Sequence, residues 1–482
     1  MSEIKGKVAR ATRWSALTEI VAKLVTPITS MVLARLLTPE AFGVVTTITM
    51  IITFAELFTD AGFQKYLVQH EFKDDTDRTQ STNVAFWSNF VMSLLIWGGI
   101  ALFSEPLAAL VGNPGLGHVV IIACAAIPLA AFSSIQMALY RRDLDFKTLF
   151  KVRVASILVP IVVTIPLALW LRNYWALIIG HLMQNVTNAV LLTLFSRWKP
   201  RFYYSFAKLK EMFSFTVWSL IEHVSIWLTG YVDVFIVGTM LSQHYLGLYK
   251  TSSTLVGQIM GLVTAAATPV LFSSLSRLQN NDAEFKQMFF KFQKLVGILV
   301  FPLGIILFCF SDLITTLLLG SQWMEASGFI GLWGLFSALN IVFSHFSSEV
   351  YRALGRPKLS VLVQWLHIVV LWPVVLVAVG YGFETLYTAR SWVRLELMAA
   401  NLVVLYYVVH ITFLQMVRNV FPSLVASLMA MGVAMTLRMV VVDNLSMQLV
   451  SLLSCAVVYI AILALFPKER KTIRRFLTRK QR

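Results

Sequence analysis

The feature that most constrains the fold is a series of fourteen apolar segments, each long enough to cross a lipid bilayer. A membrane-spanning helix needs about 20 largely apolar residues. The composition agrees, because 58% of the 482 residues are hydrophobic and only 13% are charged, which is too apolar for a soluble protein of this length. The sequence therefore predicts an all-α polytopic membrane protein. The predicted spans are residues 14–37, 41–67, 80–103, 117–140, 148–171, 173–196, 211–238, 243–272, 288–319, 326–351, 359–380, 382–409, 420–442 and 445–466.

A short turn recurs in the chain. Thr38-Pro39-Glu40 separates the first two spans, and Met240–Gly247 repeats the spacing from Leu37 to Gly43 at an offset of 204 residues. Internal repeats are common in secondary transporters, so we predict two pseudo-repeated six-helix bundles plus two C-terminal helices. The predicted divisions are a basic cytoplasmic N-terminus at 1–13, an N-terminal bundle at 14–196, a cytoplasmic interfacial linker at 197–210, a C-terminal bundle at 211–409, two additional helices at 420–466 and a basic cytoplasmic tail at 467–482.

The net charge of +16 is distributed as membrane topology requires. The loop at residues 197–210 has five basic residues, whereas the next loop, residues 239–242, has none. Lysine and arginine concentrate on the cytoplasmic side of membrane proteins, so both termini are predicted to be cytoplasmic. This alternation argues against a nucleic-acid partner. The aromatic and basic mixture at 197–210 is typical of a segment in the headgroup layer, in contact with membrane lipids.

No motif of an enzyme or a cofactor site is present. The three cysteines, Cys124, Cys309 and Cys455, all lie in apolar spans and do not have the spacing of a metal site. The chain has neither a phosphate-binding glycine loop before a lysine nor a His-Glu-x-x-His motif. We therefore predict that the chain is not an enzyme and uses no cofactor or metal.

Two arginines in the twelfth span are the first candidates for binding a substrate. A charge at mid-membrane costs about 2.5–3.5 kcal/mol on insertion scales, so it should face the bundle interior or a wet cavity. Arg390 and Arg394 are four residues apart and share a helix face. Glu396 is two residues further on and points elsewhere. The partner of the arginines is therefore either a carboxylate on another helix or a bound anionic ligand.

Five other charges in or near the spans are candidates with a structural alternative. Lys23 lies midway along the first span, where it is a candidate for the substrate cavity or a partner of Glu19. Glu222 is near the middle of the seventh span, and a buried carboxylate there can have a raised pKa. Together with Glu19, Asp60 and Asp233, it is a candidate for ion coupling. For Asp60 and Asp233, capping or helix packing is the stronger interpretation.

Five short segments occur in an order typical of one family: Leu33–Gly43, Asp60–Phe63, Tyr140–Lys147, Leu246–Tyr249 and Ala353–Lys358. In order and spacing they resemble bacterial polysaccharide flippases of the MOP exporter superfamily. The resemblance covers residues 13–360, and the last 120 residues match mainly in hydropathy.

The resemblance implies two six-helix bundles that face a central cavity, which tends to be cationic in this family. It implies a polyprenyl-pyrophosphate-linked oligosaccharide as the substrate, flipped to the periplasmic leaflet of the bacterial inner membrane by alternating access. It also suggests polysaccharide polymerase and chain-length machinery as partners. Lys23, Arg390 and Arg394 are assigned to the cavity from charge and depth, not from a family motif.

Three alternatives remain. The first is an ion-coupled drug or metabolite exporter of the same fold, which would favour acidic residues in the cavity. The second is a lipid II flippase. A membrane-embedded polymerase or glycosyltransferase is disfavoured, because such enzymes need a sizeable extramembrane loop. The longest outer loop here, 104–116, has one acid and no base.

Overall fold

The structure, a computed structural model, describes the backbone of residues 2–60, 62–440, 445–467 and 469–470. Side chains are described in the same ranges except at 2–5, 8–9, 60, 213–222, 438–440 and 445. The regular elements of this part of the chain are all helical. They are α1 (Ser2–Leu36), α2 (Pro39–Asp60), α3 (Phe63–Gln69), α4 (Asp75–Leu102), α5 (Ser104–Leu110), α6 (Gly117–Cys124), α7 (Ala126–Arg142), α8 (Phe146–Val159), α9 (Ile165–Leu171), α10 (Trp175–Phe195), α11 (Phe206–Met240), α12 (Gln243–Arg277), α13 (Asp282–Cys309), α14 (Ser311–Leu318), α15 (Ser327–Asn340), α16 (Ser347–Ala353), α17 (Lys358–Val379), α18 (Phe383–Val409), α19 (Phe413–Val440) and α20 (Leu445–Leu465).

Fourteen helical segments of the described chain are long and apolar enough to cross a membrane, which confirms the predicted number. Two of them end earlier than predicted. The second helix, α2, ends at Asp60 rather than residue 67, because Gly62 has a φ of 84° and α3 begins after it. The ninth stops at Cys309 rather than residue 319, because the helix breaks at Phe310 before α14. The sequence stays largely apolar past Phe310, whereas α3 contains Gln64, Lys65 and Gln69.

Contacts divide the chain into two compact units, Met1–Lys250 and Thr251–Arg482. The seventh span, in α11, falls in unit 1 and packs on α2. The repeat in the sequence predicts that this span belongs to the second bundle. That division stays a prediction, since a contact unit and a repeated set of helices need not share a boundary.

The core of unit 1 is formed where α2, α4, α6, α7 and α10 pack on one another. Its apolar side chains include Ile48, Val120 and Ile127, each of which is almost completely buried. Helix α1 packs along α8. Unit 1 is therefore a helical bundle with an apolar core, and polar side chains such as Asn89 and Gln136 are also buried in it.

The two copies of the recurring turn touch each other within unit 1. A Cβ atom at Gly247 would overlap the carbonyl group of Pro39 and approach the backbone nitrogen of Gly43. Beside this contact, His244 Nδ1 lies 2.5 Å from Glu40 Oε1, and these two residues are 204 positions apart. Contact between equivalent positions is the arrangement expected at a local two-fold axis. It supports the repeat that the turn predicts.

The predicted interfacial linker is hydrogen-bonded to the N-terminal half of α4. Asn83 Oδ1 accepts a hydrogen bond from the Arg201 backbone nitrogen at 3.1 Å, and Trp87 Nε1 donates to the Arg201 carbonyl at 2.9 Å. The Phe202 ring contacts Trp87 but is 93% exposed. An exposed aromatic ring beside basic residues fits a segment at a membrane surface.

Unit 2 is built on α13, which packs against α15 and α19, with α17 against α18 and α19 against α20. One apolar cluster joins Ile305, Ala430 and Leu463 from three of these helices. The tenth span is not a regular α-helix, because a π-helical turn at Ile341–His345 separates α15 from α16. Such turns are frequent near functional sites, and this one follows the part of α15 that contacts the arginines of α18.

Candidate functional site

Arg390 and Arg394 of α18 lie on the same tryptophan ring in unit 2. The Cζ of Arg394 is 3.5 Å from the centroid of the Trp333 ring, and that of Arg390 is 4.9 Å away. Arg394 also donates from Nη1 to Ser337 Oγ at 2.9 Å. One turn of α18 separates the arginines, and one turn of α15 separates Trp333 from Ser337. The shared face predicted for the arginines is therefore the face that meets α15.

Trp333 is held rigidly under the arginines. It is 5% exposed, its ring contacts Phe329, and its carbonyl accepts a hydrogen bond from Ser337 Oγ. The arginines are half-buried. A guanidinium stacked on an aromatic face keeps its charge and its in-plane N–H donors. The ring and the hydroxyl are neutral groups, so they orient the two charges without cancelling them.

The acid next to the arginines faces a different helix. Glu396 Oε2 lies 2.9 Å from His367 Nδ1 on α17, and His367 is buried. The other oxygen, Oε1, is buried and has no hydrogen-bond partner among the described residues. The structure thus places Glu396 with His367, while Trp333 lies under both arginines. A planar guanidinium group can bind two oxygens of one phosphate.

A second polar region is a cavity of about 790 Å³ that lies wholly within unit 1. Helices α2, α4, α7, α10 and α11 all contribute to its wall. Its charged residues are Glu56, Lys65 and Arg141, and Arg141 donates to Gln64 Oε1 at 3.1 Å. The rest of its polar lining is amides, hydroxyls and His223. Polar side chains in spans are expected to line a wet cavity or a ligand path.

The other predicted residues belong to unit 1, whereas the arginines belong to unit 2. On α1, Glu19 is exposed and Lys23 is half-buried. The ion pairs found among the described residues do not include one between Glu19 and Lys23. Asp233 is buried, and its Oδ2 accepts a hydrogen bond from Tyr249 at 2.6 Å. The side chains of Asp60 and Glu222 lie outside the described residues. In the part of the chain that is described, no three acidic, histidine or cysteine residues form a metal-binding group.

Several residues of these two sites are not found by sequence reasoning. Trp333 is one of thirteen tryptophans and has no local signal of its own. The cavity residues Asn185 and Asn188 do give a signal, because two amides within one turn of an apolar span are unusual. Weighing buried amides as heavily as buried charges would have found them.

A family model described as "Polysaccharide biosynthesis protein" matches residues 32–328. Among curated proteins, the succinoglycan biosynthesis transport protein ExoT of Rhizobium meliloti (strain 1021) is 24% identical over 330 residues, or 68% of this chain. The lipopolysaccharide biosynthesis protein WzxC of Escherichia coli (strain K12) is 21% identical over 326 residues, or 66% of this chain. The matched regions cover 66% and 65% of those proteins, which is just under two thirds of their lengths.

Two solved structures share the fold. The lipid II flippase MurJ in an inward closed conformation has a TM-score of 0.75, with 13% identity over 94% of this chain and 98% of its own. An inward-facing multidrug resistance MATE family transporter of the MOP superfamily has a TM-score of 0.63, with 12% identity over 80% of this chain and 94% of its own. At these identities the likeness shows the fold alone, and it confirms the predicted MOP fold.

Proposed function

Because this chain belongs to the polysaccharide biosynthesis protein family, we propose that it is a flippase for polyprenyl-pyrophosphate-linked oligosaccharide. The cargo moves from the cytoplasmic to the periplasmic leaflet of the bacterial inner membrane by alternating access, for exopolysaccharide, capsule or lipopolysaccharide synthesis. The fourteen candidate spans make the chain a multi-pass membrane protein. Relatives named for succinoglycan transport and lipopolysaccharide biosynthesis support this cargo class. The chain is a transporter rather than an enzyme.

The arrangement of Arg390 and Arg394 is the observation that carries the substrate assignment. A pyrophosphate and its sugars cannot cross hydrocarbon unaided, because the desolvation of charges and hydroxyls is too costly. Two guanidiniums on one ring offer a fixed, planar array of N–H donors, which suits phosphate oxygens. The Trp333 ring contacts both guanidiniums and the Ser337 hydroxyl accepts a hydrogen bond from Arg394, and these contacts orient the array.

The topology and the partners follow from the same proposal. Both termini lie in the cytoplasm, as the distribution of basic residues favours, and the linker at 197–210 contacts cytoplasmic-leaflet lipids. The polysaccharide polymerase and the chain-length machinery act on the product in the periplasm. Lys23 contributes a further positive charge to the path. An ion gradient or downstream polymerisation drives transport.

A leaflet assay in proteoliposomes tests the function. Purified protein is reconstituted with fluorescent polyprenyl-pyrophosphate-oligosaccharide, and an impermeant quencher reports which leaflet holds the label. We expect protein-dependent flipping of this lipid and none of a matched phosphatidylcholine probe. The same vesicles are loaded with small cationic dyes under proton and sodium gradients. Absence of lipid flipping together with dye efflux would overturn the proposal and favour the drug-exporter alternative.

A further inference from the structure

We propose that the cavity in unit 1 is a sugar-binding subsite that takes the neutral, hydroxyl-rich part of the cargo. The inference rests on the proposed function, because it presumes a cargo that contains an oligosaccharide. It assigns this cavity a ligand class different from that of the arginines in unit 2.

The first observation is an aromatic face along one wall. Trp227 and Tyr231 of α11 stack with centroids 5.3 Å apart and planes inclined by 22°. Trp227 Nε1 donates to Thr53 Oγ1 at 3.1 Å, which fixes the indole against α2. With His223 these residues occupy successive turns of one helix face, over about 12 Å at the α-helical rise. Aromatic faces of this kind stack on the C–H faces of sugar rings.

The second observation is a set of buried amides with open hydrogen-bonding positions. Asn89 is 1% exposed, and its Nδ2 donates to Ser134 Oγ at 2.7 Å. Its Oδ1 has no hydrogen-bond partner among the described residues. A buried acceptor without a donor costs about 1–3 kcal/mol. A hydroxyl group of a ligand would supply that donor.

Two further amides extend the same pattern on α10. Asn188 Oδ1 accepts from Ser156 Oγ at 2.5 Å, and Asn185 Nδ2 lies 3.2 Å from His181 Nε2. Within the described residues these contacts leave Asn188 Nδ2 as a donor and Asn185 Oδ1 as an acceptor for a ligand. A sugar hydroxyl both donates and accepts. Side-by-side amide donors and acceptors therefore match neighbouring hydroxyls better than they match an ion.

The charge and the size of the cavity agree with a sugar. One carboxylate and two cations leave its lining close to neutral. Its volume of about 790 Å³ falls in the range of roughly 300–1,000 Å³ for small-ligand sites. A dehydrated metal ion would need far less space. A neutral wall of amides, hydroxyls and stacked rings thus indicates a carbohydrate.

The test measures binding of free oligosaccharide to the full chain in lipid nanodiscs. The probe is the repeat-unit oligosaccharide released by mild acid from the lipid-linked pool of the producing cells, with sucrose as the non-cognate sugar. The cavity variants are W227A and N185A/N188A. The matched controls are T187A, on α10 but outside the cavity lining, and W170A, an exposed tryptophan. Isothermal titration calorimetry gives the affinities.

We expect saturable binding to the wild type and both controls, and a loss of about tenfold or more in each cavity variant, since several hydrogen bonds or a stacking face are removed. Binding of sugar-free polyprenyl pyrophosphate should be unchanged in these variants. Equal sugar affinity in wild type and cavity variants would overturn the inference. The inference would also be overturned if the cavity variants lost the ion dependence of transport while their affinity for the sugar was unchanged.

The leaflet assay separates this failure from a failure of the proposed function. If the wild type flips the lipid-linked oligosaccharide while the cavity variants bind sugar normally, the subsite is wrong and the function stands. If the wild type flips none, the function itself is wrong. Binding of sucrose as tight as that of the repeat unit would also count against a subsite for this cargo.

Discussion

At the scale of single residues, Trp333 organises the arginine site. It contacts both guanidiniums, and a cation–π contact contributes about 0.5–2 kcal/mol, more as the contact is desolvated, which offsets part of the cost of holding two like charges one helical turn apart. The Ser337 hydroxyl accepts from Arg394 and donates to the Trp333 carbonyl, so three groups fix one another. The arginines therefore keep a defined orientation before any anion arrives.

The buried carboxylate of Asp233 accepts a hydrogen bond from a residue of the next helix, α12. The hydroxyl of Tyr249 donates to its Oδ2 at 2.6 Å. Tyr249→Phe removes this charge-assisted hydrogen bond and should lower the free energy of unfolding by about 1–3 kcal/mol. Thermal unfolding in detergent measures the change. Tyr381→Phe, at a 76% exposed tyrosine, is the control and should have little effect.

The alternative role of Asp233 in ion coupling is tested by a substitution of Asp233 itself. If Asp233 carries the coupling ion, Asp233→Asn abolishes gradient-driven flipping. We expect Asp233→Asn to retain flipping, because an amide oxygen can still accept from Tyr249. Loss of flipping with unchanged thermal stability would contradict the structural interpretation.

At the scale of helices, two glycines allow the beginnings of α2 and α12 to approach within backbone contact. Gly247 lies against the Pro39 carbonyl and the Gly43 nitrogen, and any side chain there would push the helices apart. The nearby Glu40–His244 contact depends on the same approach. The recurring turn therefore has a packing role in addition to its role as a connection between spans.

Two substitutions on α12 test this close approach. Gly247→Ala should destabilise the protein, because the new Cβ would overlap the Pro39 carbonyl, which is backbone and cannot move alone. Gly257→Ala is the matched control on the same helix, since nothing lies within 4 Å of the position its Cβ would take. It should be neutral or stabilising by up to about 1 kcal/mol, as alanine is the better helix former. Equal melting temperatures for the two variants would contradict the close contact.

The sequence predicts the spans far better than it predicts their interruptions. Lipid demands about 20 apolar residues per helix, and this requirement is visible in the sequence. The break at Phe310 is followed by the largely apolar α14, so hydropathy gives little sign of it, whereas the break at Gly62 is followed by Gln64 and Lys65. The common face of Arg390 and Arg394 follows from their spacing, whereas Trp333 comes from a distant span and depends on tertiary packing.

At the scale of the whole molecule, the distribution of basic residues fixes the orientation we propose. The three native cysteines are all buried, so we expect a maleimide to label only a cysteine that is introduced at an accessible position. Arg197→Cys, in the linker, should resist an impermeant maleimide in intact spheroplasts. Tyr381→Cys, in the loop between α17 and α18, should react. The reverse pattern would invert the topology, and labelling of the wild type would show that a native thiol is accessible.

The most direct test of the central claim is flipping by the arginine variants in proteoliposomes. Wild type, Arg390→Gln/Arg394→Gln and the control Arg356→Gln/Lys358→Gln, which removes the same charge from an exposed loop, are compared on polyprenyl-pyrophosphate-oligosaccharide. The arginine variant loses two charge-assisted contacts, each worth about 1.5–3 kcal/mol, so its flipping rate should fall by at least about tenfold. The control variant should flip at the wild-type rate, and all three proteins should be monodisperse. Wild-type rates in the arginine variant would show that the pair does not bind the pyrophosphate.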